Sequence, residues 1–377
     1  MTKKPVATGK TNAKAPAKSK AAKTTIRPAA AKPRKAPIAT QPVTLDQARR
    51  LAAAAGPKRA TRRMLLAAPT VDKVGVARAK LDKQRADERE QRRREYTAVM
   101  KIMKQRGAAR PEKAAKGRRG GPAKAPKASF QPLQVMAEGD SWFDYPIPLF
   151  GGGIVKRLEK RLGVPILNMA GAGDEVRFML GVDQRKRLVQ ELKSGCPAGG
   201  PWDVMLFSGG GNDIVDNPMA LWIRDFDATA TPAAHIHQPR FDAALTLVRA
   251  GYEDLIALRD QLSPSTHLVF RCYDFAIPDG RGICHHGPWL KPTFDLRKFP
   301  SRAEGFAVVK LMLQQFAAML QSLAGAHIKV TVIHTQGTLA QQTSAWHNEL
   351  HPAKPGFESF AEMFRQQLKV LFPTRVV

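Results

Sequence analysis

Met136-Ala137-Glu138-Gly139-Asp140-Ser141-Trp142-Phe143-Asp144-Tyr145-Pro146 continues a short apolar run from Leu133 and precedes three glycines at 151–153. An apolar run ending in Gly-Asp-Ser, then a glycine break and an amphipathic segment, spells a buried strand, a turn and a helix. A serine at the C-terminal end of a parallel strand stands where open α/β sheets hold their ligands. Serine, glycine and aspartate are also ordinary turn residues. The stretch therefore gains its meaning from what the rest of the chain adds.

Downstream, the same alternation repeats. Strands expected over 133–137, 165–169, 202–207, 267–273 and 328–334 alternate with helices over 154–162, 175–193, 241–262, 303–323 and 356–371, the second loosened at Gly181. Five short apolar strands separated by helices predict a parallel sheet covered on both faces. Right-handed crossovers make this a three-layer, flavodoxin-like α/β sandwich with strand order 2-1-3-4-5. Two long connections, 213–240 and 274–300, leave the C-terminal ends of strands, where they can wall a site.

Upstream, the composition changes. Residues 1–130 hold 36 Lys/Arg and 8 Asp/Glu, a net of +28, whereas 131–377 hold 25 and 24, a net of +1. The expected division is a basic Lys/Ala/Pro-rich extension over 1–130 and one α/β domain over 131–377. Residues 1–43 lack any hydrophobic period and should be disordered. Thr44-Leu45-Asp46-Gln47 has the form of a capping box before a short helix. Residues 81–106 are rich in helix formers. Tyr96, Val99, Met100, Ile102 and Met103 gather at the end of that helix, so only that end has a face to dock. Residues 118–122 read as a linker. Such a polycation predicts salt-dependent binding of nucleic acid or another polyanion, against the plainer reading of a solvated tail. Tyr96 is the only aromatic side chain of the Phe/Tyr/Trp set before Phe130. Base stacking is thus not offered, and binding would be sequence-nonspecific.

Three cysteines are too few for a disulfide framework. No apolar run approaches the roughly 20 residues of a membrane span, and no hydrophobic region follows the basic start. A cytoplasmic protein is expected. Cys284-His285-His286 lacks zinc-ligand spacing, so neither a metal nor a cofactor is expected. Asp274, Asp279 and His286, in the second long connection, could contact substrate.

Four polar stretches share the predicted C-terminal edge: 139–141, 168–174, 209–213 and 346–352. They supply a hydroxyl, small residues with free backbone N–H groups, a side-chain amide and an imidazole. Acyl transfer from a serine needs those parts. In this order they resemble the four blocks of the SGNH hydrolases, also called GDSL-type esterases and lipases, over roughly 133–371. The resemblance implies Ser141 as nucleophile and His351 as base. It implies an oxyanion hole from the Ser141 amide, Gly173 (with Gly171 the second choice) and Asn212. Trp142, Phe143 and Tyr145 depart from members with a small residue after the serine and read as pocket wall or packing.

One departure touches the chemistry. The family pattern has Asp three residues before the histidine, and this chain has Asn348. An amide can orient the imidazole but carries no charge to stabilise the imidazolium. Three outcomes stand open: a weaker triad with Asn348, a Ser-His dyad helped by a carbonyl or by Glu349, or loss of activity. The expectation is a serine esterase acting on a short acyl or acetyl ester through an acyl-serine, with the basic tail for localisation. The alternative is an inactive SGNH-fold protein that binds nucleic acid or an acidic polymer.

Overall fold

A computed structural model describes residues 42–55, 71–109, 129–146, 152–283 and 286–376, with backbone alone for 71–82 and 129. Of the disorder expected over 1–43, residues 1–41 lie outside the described residues, as do the linker at 118–122, Cys284 and His285; Val43 departs from it, buried and held by Gly107 O (3.1 Å) and Ala109 N (3.0 Å). The described residues within 40–377 form one compact unit.

Five parallel strands make the sheet: β1 (Val135–Gly139), β2 (Ile166–Asn168), β3 (Val204–Ser208), β4 (His267–Arg271) and β5 (Val330–Ile333). Their order is β2-β1-β3-β4-β5, as expected. Val135 pairs with Ile166 on one side and Val204 on the other, and this register brings the strand ends to one edge. Every residue of β1 and β3 is buried, which requires cover on both faces.

The helices are α1 (Leu45–Ala55), α2 (Val71–Arg106), α3 (Ile154–Leu162), α4 (Val176–Met179), α5 (Val182–Ser194), α6 (Gln238–Leu262), α7 (Lys291–Leu296), α8 (Arg302–Ala326) and α9 (Lys354–Leu371). One group packs α3 against α9; the other joins α4, α5 and α8 to α6. The helix expected over 175–193 is split by Gly181, whose extended backbone caps α5. By length and composition α8 is apolar enough to cross a membrane. Here Val308, Val309, Met312, Phe316 and Leu320 bury its inner face in the core.

Part of the basic third belongs to that core. Thr44 and Gln47 form the expected capping box, with Thr44 N donating to Gln47 Oε1 (2.9 Å) and Gln47 N to Thr44 Oγ1 (3.3 Å). Helix α2 begins ten residues before its expected start and packs against β2, an edge strand. Tyr96, Val99, Met100 and Met103 are buried in the same cluster as the sheet. The Tyr96 ring lies 5.6 Å from that of Trp202. Val43 and Ala108 join this cluster too, on the N-terminal side of the expected boundary at 131.

Met100→Ala should therefore destabilise the α/β domain itself, by about 2–5 kcal/mol in denaturant unfolding. Arg94→Ala, on the exposed face of the same helix, should stay within about 0.5 kcal/mol. Equal stability of the two variants would mean that α2 is not part of the cooperative unit.

Candidate active site

Ser141 lies two residues past the end of β1, in a turn that Asp140 holds. The Asp140 amide donates to Ser208 O (3.0 Å), and the Asp140 carbonyl accepts from Phe143 N and Asp144 N (3.1 Å each). The buried Asp140 carboxylate accepts from Trp142 N (3.0 Å), Ser208 Oγ (3.1 Å) and the Tyr273 hydroxyl. Burial pushes its pKa up, and Arg271 opposes that shift. Arg271 closes β4 and is fully buried. Its guanidinium lies 3.9 Å from the Trp142 ring centre and 4.1 Å from that of Tyr273. A charged residue inside an apolar strand was the available sequence signal for it.

His351 comes from the loop after β5. Its Nε2 is 2.6 Å from Ser141 Oγ, and its Nδ1 is 2.9 Å from Asn348 Oδ1. Asn348 Oδ1 also accepts from the backbone N–H groups of Leu350 (3.0 Å) and His351 (2.9 Å). Three donors on one atom fix the amide orientation, because the reversed amide would set NH2 against two backbone N–H groups. An acceptor at Nδ1 puts the ring proton there and leaves the Nε2 lone pair facing the serine hydroxyl. Asn348 Nδ2 donates to the Tyr145 hydroxyl (3.3 Å), which lies 2.6 Å from His347 Nδ1. The Tyr145 ring leans on His351, with centres 4.6 Å apart. Tyr145, expected as pocket wall or packing, is thus the second support of Asn348.

Glu349 does not reach the imidazole in the way the dyad alternative required. Its buried carboxylate accepts four backbone N–H groups: Gly280 (2.9 Å), Trp289 (2.6 Å), Leu290 (2.7 Å) and Lys291 (3.0 Å). It ties the long connection over the site. Asp274 is likewise a clasp, accepting from Phe275 N, Gly337 N and Leu339 N. Asp279 pairs with Arg281, and His286 is exposed. Among the described residues, no group of three His, Cys, Asp or Glu side chains could hold a metal ion.

The loop 168–174 approaches from β2. Gly171 N donates to Gly139 O (2.9 Å), and Asp174 N to Gly171 O (3.1 Å). A Cβ on Gly171 would meet Asp174 Oδ2 at 2.7 Å, so Gly171 is the crowded glycine. Gly173 has φ +82° with open space where a Cβ would project. It needs glycine for its backbone and not for room. Among the described residues the Ser141 and Gly173 amides have no hydrogen-bond partner. Asn212 Nδ2 donates to Asp174 O (3.0 Å), which joins the third stretch to the second. Asp213 caps the start of α4 through Val176 N (2.9 Å).

One cavity of about 40 Å³, partly open to solvent, is lined by Ser141, Asn212 and His351, by Asp140, Tyr273 and Asp274, and by apolar residues that include Ile214, Val215, Leu290, Val309, Met312 and Leu313. Gly173 is not among its lining residues.

No known family model matches the chain, and no curated protein matches it. Among solved structures it is similar to a lipase from a goat rumen metagenome, at 18% identity and TM-score 0.41, over 62% of this chain and 96% of that one. An extracellular lipase of Streptomyces rimosus is similar at 16% identity and TM-score 0.39, over 62% of this chain and 99% of that one. A carbohydrate acetylesterase of Sinorhizobium meliloti is similar at 14% identity and TM-score 0.39, over 64% of this chain and all of that one.

Burial, reinforced by His347 and Arg271, pushes the His351 imidazole down to about 3. The ring should then stay neutral, with its proton on Nδ1, throughout pH 5–8, as nitrogen NMR of the labelled ring can read. Asn348→Asp places a carboxylate beside Nδ1 and should move that titration to higher pH. A wild-type ring that protonates near pH 6.5 would contradict the enclosed geometry.

Proposed function

We propose that the protein is a serine ester hydrolase of the SGNH type. The observation that carries this reading is the Ser141–His351–Asn348 alignment, with Nε2 2.6 Å from the hydroxyl oxygen and the ring proton held on Nδ1. His351 takes the Ser141 proton as Oγ attacks the ester carbonyl. It returns the proton to the departing alcohol and leaves an acyl-serine. Water, deprotonated by the same imidazole, then releases the carboxylic acid. The unpartnered amides of Ser141 and Gly173 and the second Asn212 N–H are suited to the tetrahedral oxyanion. Losing one such donor costs about 2.7–4 kcal/mol.

The small cavity beside Ser141 supports a short acyl group with an apolar end, because apolar side chains make up most of its wall. The inactive-domain reading loses its motive, since Asn348 faces the ring it would have to orient. Localisation on a polyanion remains part of the proposal and rests on the +28 of residues 1–130. Cys196 and Cys272 are buried and unpaired, which fits a reducing, cytoplasmic setting.

The full chain should hydrolyse p-nitrophenyl butyrate with kcat/KM about tenfold above the acetate, at about 0.8 kcal/mol for each of the two added methylenes. Ser141→Ala should abolish both activities. Met312→Trp, by filling the cavity, should remove the preference for butyrate and spare acetate. No difference between wild type and Ser141→Ala would end the esterase reading.

Asn348→Asp should raise kcat at pH 7 by about tenfold, the difference between a neutral and a charge-assisted hydrogen bond to the imidazolium. An unchanged or lower kcat would mean that charge at this position does not limit the reaction.

A further inference from the structure

The loop 168–174 is held from inside by the sheet and by Asn212. Its outer side is held by the basic helix. On α2, Arg89 Nε donates to Met169 O (3.2 Å) and Nη2 to Asp174 Oδ2 (3.2 Å). Arg92, one turn on and on the same face, donates Nη1 to Asn168 O (3.5 Å) and Ala170 O (3.3 Å). Its Nη2 donates to Asp144 Oδ2 (2.6 Å). Two guanidinium groups thus tie three successive carbonyls of the loop, the carboxylate that closes it, and a carboxylate three residues past Ser141. The Arg89–Asp174 pair is sheltered, with side chains 14% and 7% exposed. A lysine could supply the charge but not the fork that meets a carbonyl and a carboxylate together.

We propose that Arg89 and Arg92 are positioning residues that set loop 168–174, and with it the Gly173 amide and Asn212, relative to Ser141. The catalytic part of this inference rests on the ester-hydrolase reading; the loop-holding part does not. Asp174 is the shared joint, because its carboxylate meets Arg89 and its carbonyl meets Asn212. Helix α2 is anchored separately by Tyr96, Val99, Met100 and Met103, so removing one guanidinium leaves the helix docked. The basic third is accordingly divided by face. Arg89 and Arg92 belong to the site, whereas Arg94, 78% exposed and paired with Glu90, faces solvent.

The test uses full-length Arg89→Gln, Arg92→Gln and Arg89→Lys, with Arg94→Gln as control. It reads hydrogen–deuterium exchange of peptides covering 168–174 and steady-state hydrolysis of p-nitrophenyl butyrate. Both glutamine variants should speed exchange in 168–174 and leave β3 to β5 protected. They should lower kcat about tenfold with KM changed less than about twofold, since small misplacements of catalytic groups act on the reaction step. Arg89→Lys should recover part of the loss, and Arg94→Gln should change neither readout. Unchanged exchange in both glutamine variants overturns the proposal. Faster exchange with unchanged kcat, in a protein whose Ser141→Ala variant is inactive, overturns it too. Should the wild type cleave no ester, the hydrolase reading fails by itself, and the exchange result alone upholds or overturns the holding role.

Discussion

The carbonyl oxygen of Asn348 accepts three N–H groups, and the arrangement of the site depends on it. Two of the donors are backbone groups of its own loop, and the third is the His351 ring. The backbone pair makes the amide orientation a consequence of the turn. The ring proton is then confined to Nδ1, and Nε2 has only the serine hydroxyl to meet. Asn348 is fully buried, so a misoriented amide would leave several polar groups unsatisfied at about 1–3 kcal/mol each. An amide in place of a carboxylate usually harms a serine triad by selecting the wrong tautomer. Here that penalty is removed by geometry, and the loss that remains is that of a charge beside the imidazolium.

Around this centre the protein holds irregular backbone with buried or sheltered charges. Glu349 gathers four amides of the long connection, and Asp274 joins one more of them to two amides of the segment after β5. Asp140 pins the Ser141 turn, and Arg89 and Arg92 pin the loop opposite. Charge-assisted hydrogen bonds of this kind are about twice as strong as neutral ones. They suit loops that the parallel sheet cannot order by its own ladder. The strands bring four segments to one edge, and the carboxylates and guanidinium groups determine how those segments face one another.

The fold was legible because each strand is a short apolar run and each helix carries an amphipathic face. Ile154–Leu162 has the bounds that periodicity predicts, and Gly181 splits a helix where its missing side chain suggested weakness. Ser141, His351 and Asn348 could be picked out because serine, imidazole and amide stand on strand ends in the order a known pattern uses. Tyr145 could not be, since its role depends on a contact with Asn348, 203 positions away. Nor could Arg89 and Arg92, because arginines on a highly charged helix read alike until the helix is docked. Glu349 was misleading in the opposite way. It stands two residues from His351, yet its carboxylate serves amides that only the folded connection brings near.

In the proposed reaction Ser141 is a nucleophile made reactive by His351. The most direct measurement is intact and peptide mass after treating the full chain with a fluorophosphonate. One phosphonyl group per chain is expected, on Ser141, with labelling lost in His351→Ala while the domain stays folded. A folded wild-type protein that takes no label at Ser141, or labels equally without His351, would contradict it.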